Sequence, residues 1–162
     1  MMVDIHREGA PAMWDRTVRA SETEWVATLG DDDEFLPHHL ETLWGLLEDS
    51  NADIAFSSFS YSNTGNAGHL EKWRGVPFDN ANPRQITGVF LVRRELVLDV
   101  GGFSGGFDPT SYQVDGDGNR MGEDFMIVKK FAESAARFVN TGEITWIYHV
   151  GHGNTLGMPN RW

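Results

Sequence analysis

Cysteine is absent from this 162-residue sequence. That absence excludes disulfide scaffolds, thiolate zinc sites, iron–sulfur centres and thiol catalysis. Basic residues are scarce: 13 Lys and Arg stand against 24 Asp and Glu, for a formal net charge of −11. The imbalance excludes a broad basic footprint for nucleic acid and a polybasic membrane anchor. Long apolar runs are missing too, and none approaches the ~18 residues of a membrane-spanning helix. The opening MMVDIHREG has no basic segment followed by an apolar one, so no secretory leader is expected and a cytoplasmic location is the default. There is no internal repeat and no low-complexity segment.

What is present suits a folded domain. Hydrophobic residues make up 40% and aromatics 12%, a globular composition on a length that fits one domain. A short strand is expected over Val3 to His6 and a helix over Ala10 to Ser21, with Met13, Trp14 and Val18 on one face. EWVATL, from Glu24 to Leu29, has too little alternation for a half-exposed strand and predicts one buried on both faces, as in a parallel sheet. Leu36, Leu40, Leu43 and Leu47 repeat at helical steps behind Pro37, so a helix is expected from Pro37 to Asp49. Strands follow over Ile54 to Tyr61, Thr87 to Val92 and Glu143 to Val150, with helices over Arg93 to Val100 and Gly122 to Arg137. Phe125, Val128, Phe131, Ala132 and Ala135 share a face of the last helix. Ser62 to Pro83 and Gly101 to Asn119 are irregular, rich in glycine and polar residues. Strands alternating with helices define an α/β class.

Three groups of residues carry possible chemistry. Asp31, Asp32, Asp33 and Glu34 directly follow an expected buried strand, where ligands of open α/β sheets gather. Adjacent carboxylates repel, and hard oxygen ligands suit Mg²⁺, Mn²⁺ or Ca²⁺. The same run also reads as a solvated turn whose negative charge complements the following helix. Glu123 and Asp124 open a helix after a glycine-rich loop, as a general base or as simple helix-end charge complementation. His149 and His152 follow the last strand, and neutral imidazole is a common metal ligand.

Two motif matches fail on context. Gly102 to Gly106 fits G-x-S-x-G, but that elbow needs a strand before it and a helix after it, and here a helix precedes. Asp115 to Asn119 starts like a calcium loop, yet Arg120 and Met126 occupy its required glycine and glutamate positions.

Taken in order, four segments resemble family 2 nucleotide-sugar glycosyltransferases of the GT-A fold. ETEWVATLGDDDEFLPHHLETL is similar to the family segment in which a strand delivers an acidic metal-binding motif. VFLVRRELVLDVGGF, GEDFMIVKKFAE and YHVGHGNTLG resemble its later segments, and the set spans about Met13 to Gly157. The resemblance implies a single three-layer, Rossmann-like α/β domain with a mixed sheet over residues 1–157, and a tail at 158–162. It also implies transfer of a sugar from a nucleoside-diphosphate sugar to an acceptor hydroxyl, aided by Mn²⁺ or Mg²⁺.

The implied roles fall residue by residue. Asp31 and Asp32 would meet the donor, while Asp32 and Asp33, with His152 or His149, would hold the metal. Asp124 would be the base with Glu123 beside it. Gly101, Gly102 and Phe103 would wall the sugar pocket. Trp73 is the candidate platform for the acceptor, because sugars favour aromatic surfaces; capping the core is its other reading. Two positions depart from the family: Gly30 stands where many members carry the first Asp, and Trp14-Asp15 where they carry Arg-Asn. The chain is expected to begin near the family's third strand, without the usual first strands that hold the nucleotide base. A homo-oligomer, or a second chain supplying that section, is the expected remedy. A non-catalytic binding subunit and a metal-dependent hydrolase are the alternatives.

Overall fold

The computed structural model of the chain describes residues 9–63, 73–105 and 122–149. Helix α1 spans Gly9–Ala20 and strand β1 spans Trp25–Ala27; β2 is only Glu34–Phe35. Then come α2 (His39–Ser50), β3 (Ile54–Tyr61), a 3-10 turn (Pro83–Gln85), β4 (Leu91–Arg93), α3 (Arg94–Asp99), α4 (Glu123–Glu133) and β5 (Phe138–Tyr148). The five strands form one mixed sheet in the order β1-β4-β3-β5-β2. Among the described strands only β3 and β5 run parallel, from Ile54 opposite Phe138 to Tyr61 opposite Tyr148.

Side-chain alternation along β3 and β4 sorts the helices onto two faces. Ile54, Phe56 and Val92 pack with Val18 of α1, Val97 of α3 and Ile127, Val128 and Phe131 of α4. Ala55 and Leu91 point the other way, onto Leu43 and Leu47 of α2. The result is the expected three-layer α/β domain. Among the described residues, no helix is long and apolar enough to cross a membrane. The expected strand over Val3 to His6 lies outside the described residues, as does the 64–72 part of the irregular stretch.

Four expectations are corrected. First, β1 is not doubly buried in a parallel sheet. It pairs antiparallel with β4, and among the described strands with β4 alone. Trp25 reaches the α2 layer and Val26 the opposite one, which is why the run lacks alternation, but Ala27 is exposed. Second, the buried stripe of α2 is His39, Leu43 and Leu47, while Leu40 is 48% exposed. His39 takes the inward place because its ring bonds Thr145 of β5 and stacks on Phe35 at 4.0 Å.

Third, α4 stops at Glu133, and Ala135 is exposed in a left-handed conformation (φ 60°). The helix ends because Arg137 is recruited by the start of β3: the N–H groups of Asp53 and Ile54 donate to its carbonyl, and its own N–H donates to the Asp53 carboxylate. Fourth, β5 therefore begins at Phe138, five residues before the expected strand.

Candidate active site

The acidic turn is held from both ends. In front, the Thr28 N–H donates to the Phe90 carbonyl at 3.1 Å, and the Thr28 hydroxyl donates to the Gly88 carbonyl. Behind, β2 pairs with the end of β5. Asp33 fixes the turn itself, since its Oδ1 accepts the His149 N–H at 3.1 Å and its own N–H donates to the Gly30 carbonyl at 3.2 Å. The His149 ring lies 3.5 Å from Glu34. Asp31 and Asp32 are exposed, and among the described residues neither carboxylate is hydrogen-bonded.

Gly30 explains its own departure from the family. A Cβ there would meet Asp32 Oδ1 at 3.1 Å and Asp33 Oδ2 at 3.2 Å, so both carboxylates converge on the space that glycine leaves. Burial raises the Asp33 pKa; the His149 N–H opposes the rise, and the neighbouring Asp32 charge adds to it. Among the described residues no three His, Asp or Glu side chains form a closed metal cage. Mg²⁺ and Mn²⁺ do not require one, because such ions are commonly held by one or two carboxylates plus substrate phosphates and water. The converging pair Asp32 and Asp33 fits that donor set. His149 lies beside the turn, and His152 lies outside the described residues.

Glu123 and Asp124 open α4 behind Gly122. Burial raises both pKa values, and the adjacent Asp124 charge adds to the rise on Glu123. Asp124 Oδ1 accepts the Phe125 N–H at 2.7 Å, and the positive charge of Arg84, which lies over the Phe125 ring at 4.5 Å, opposes the rise. A Cβ at Gly88 would meet the Asp124 Cβ at 2.9 Å, so α4 starts against the segment that Thr28 ties to the strand before the acidic turn.

The glycine turn after α3 is built around a buried carboxylate. Gly101 and Gly102 are left-handed (φ 86° and 75°). Asp15 of α1 accepts the N–H groups of Phe103 at 2.5 Å and Ser104 at 3.0 Å, and also the Ser104 hydroxyl. Lys130 of α4 donates to the Gly102 carbonyl at 2.8 Å. The Phe103 side chain is fully buried, edge-on to Trp14 at 4.9 Å. It anchors the turn to the core. A Cβ on Gly102 would collide with Asp15 Oδ1. Gly102→Ala is therefore expected to lose about 1–2 kcal/mol from the left-handed backbone, with a further loss from displacing Asp15, as measured by urea unfolding. Trp73 is half-buried in a short turn, and its carbonyl accepts the Val76 N–H at 2.9 Å.

Sequence reasoning missed Thr28, Gly88 and Asp15 as parts of this site. Gly88 carried a usable signal, since a glycine inside a strand-like run marks close approach of another group. Asp15 was visible only as a departure from Arg-Asn.

A mixed sheet in a three-layer α/β domain, with an acidic turn after its first strand and a carboxylate at the start of α4, has the form of a GT-A-like domain. Residues 4–109 match the model of glycosyl transferase family 2, and the chain belongs to that family. Among solved structures it is similar to S. aureus TarS 1-349, at TM-score 0.63 and 14% identity, covering 88% of this chain and 40% of that one. It matches the same protein in complex with UDP-GlcNAc at TM-score 0.63 and 13% identity, covering 88% and 39% of the two chains. The complex with UDP matches at TM-score 0.57 and 14% identity, covering 83% and 38%. The chain thus spans about 40% of the length of the first of these neighbours, and at these identities the likeness shows the fold alone. No curated protein matches the sequence.

Proposed function

We propose that this domain transfers a sugar from a nucleoside-diphosphate sugar to an acceptor hydroxyl. One observation carries the reading: in a family 2 chain, two carboxylates converge at Gly30, and the half-buried Asp124 stands against Gly88, which Thr28 ties to the strand before them. Asp31 and Asp32 would meet the donor, and Asp32 and Asp33 would hold Mn²⁺ or Mg²⁺ with a histidine, His149 or His152. When bound, that ion supplies Lewis-acid stabilisation of the charge on the departing diphosphate.

Asp124 accepts the proton of the acceptor hydroxyl as its oxygen attacks the anomeric carbon. The bond from that carbon to the diphosphate oxygen breaks, and the nucleoside diphosphate leaves. A single displacement of this kind inverts the anomeric carbon. Glu123 stands beside the base, Gly101 and Gly102 wall the pocket, and Trp73 offers its ring to the acceptor. Uridine nucleotides are the first probes, because a solved structural neighbour is in complex with UDP-GlcNAc.

Titration calorimetry with UDP and GDP, with and without Mn²⁺, tests the binding half. Metal-dependent binding of one nucleotide is expected, and Asp32→Ala should weaken it about tenfold or more, the loss of one charge-assisted contact. If no nucleotide binds in a metal-dependent way, or if Asp32→Ala and Asp33→Ala both bind like wild type, the proposal is wrong.

A further inference from the structure

We infer that Gly88 and Thr28 are positioning residues that set the reach of Asp124 toward the acidic turn. Thr28 follows β1 and stands two residues before Gly30. Its N–H donates to the Phe90 carbonyl at 3.1 Å, and the Phe90 N–H returns a bond to the Thr28 hydroxyl oxygen at 3.2 Å. With the hydroxyl donating to the Gly88 carbonyl, residues 88 to 90 are locked to the strand that delivers Asp31 to Asp33.

On its other side Gly88 presses against the base. A Cβ at Gly88 would lie 2.9 Å from the Asp124 Cβ, closer than real Cβ contacts come. The Asp124 Cβ is attached directly to the first turn of α4, so it cannot yield by rotating a side chain. Gly88 is not among the left-handed glycines, so glycine is needed here for space and not for backbone conformation. Helix α4 has no room to retreat. Its Ile127, Val128 and Phe131 are fully buried, and Lys130 ties it to the Gly102 carbonyl. A methyl group at 88 must therefore move either the first turn of α4 or the segment bound to Thr28. In both cases Asp124 changes its position relative to the acidic turn.

The inference rests on Asp124 being the base, so its test has one readout that needs no activity. The Asp124 carboxyl is followed by ¹³C NMR titration in wild type, Gly88→Ala and Thr28→Val, alongside UDP affinity and the kcat and KM of UDP-GlcNAc turnover. Gly88→Ala is expected to move the Asp124 titration toward the ordinary carboxylate range. It should also lower kcat by about 10²-fold, the scale of an ångström-sized misplacement, with KM and UDP affinity held. Thr28→Val should shift both in the same direction by less, and it decides the matter if Gly88→Ala does not fold. A folded variant with wild-type titration and wild-type kcat overturns the inference. If wild type neither binds UDP nor turns over the donor, the transfer reading fails while the titration still decides the positioning role.

Discussion

Asp124→Asn is expected to abolish most sugar transfer, by about 10²–10⁴-fold in kcat, while leaving nucleotide affinity unchanged. The asparagine oxygen can still accept the Phe125 N–H that now lies 2.7 Å from Asp124 Oδ1, so the first turn of α4 should hold its shape. What disappears is the ability to take a proton from the acceptor hydroxyl. The pH profile supplies a second reading. A base works in its ionised form, and burial raises the pKa of Asp124. In wild type the rate should therefore fall on the acidic side at a pH above the ordinary carboxylate range. That limb should vanish in Asp124→Asn. Turnover that survives the substitution would remove Asp124 from the base role, and a loss of UDP affinity of the same size would make it a binding residue instead.

The order of elements and the place of the acidic turn were legible because they rest on local signals. Leucine spacing marks α2, the aromatic-rich run marks β3, and carboxylates directly after an apolar run mark a strand end. What was hidden depends on partners distant in sequence. Nothing near Ala135 announces that α4 ends there; the cause is Asp53, 84 positions from Arg137, which captures that residue for β5. Helical spacing chose Leu40 for the buried face of α2, because spacing alone cannot see Thr145, 106 residues away, pulling His39 inward. The site divides in the same way. Asp31 to Asp33 and Asp124 are visible as carboxylates at element starts and ends. That Gly30 makes room for Asp32 and Asp33, and Gly88 for Asp124, follows from contacts that only the folded chain makes. Phe103 lies in the glycine-rich motif, and its size and apolarity bury its ring in the core.

The second large effect concerns stability in mild acid. His39 is 1% exposed; its Nδ1 bonds the Thr145 hydroxyl at 2.6 Å, and that hydroxyl bonds Ser57 at 2.6 Å. Its Nε2 has no partner among the described residues. The site therefore favours the neutral ring. Burial, reinforced by the nearby His38, lowers its pKa from 6.5 to about 4. The sign follows from proton uptake. Between those two values the unfolded chain binds a proton that the folded chain refuses, so stability falls as pH falls through the window. At roughly 1.4 kcal/mol per pKa unit, the full loss is on the order of 3 kcal/mol. For a chain of this size that corresponds to a Tm drop of roughly 6–12 °C. Asp33, Glu123 and Asp124 act in the opposite direction, because their raised pKa values let the folded chain take up protons early. Their share is the same in a His39→Gln variant, so the difference between the two proteins isolates the histidine. Urea unfolding at pH 7 and pH 4.5 should show wild type losing roughly 2–3 kcal/mol more than His39→Gln over that interval. Parallel losses in the two proteins would mean that the ring is not held neutral. The bond to Thr145 would then survive protonation, with Nδ1 as its donor.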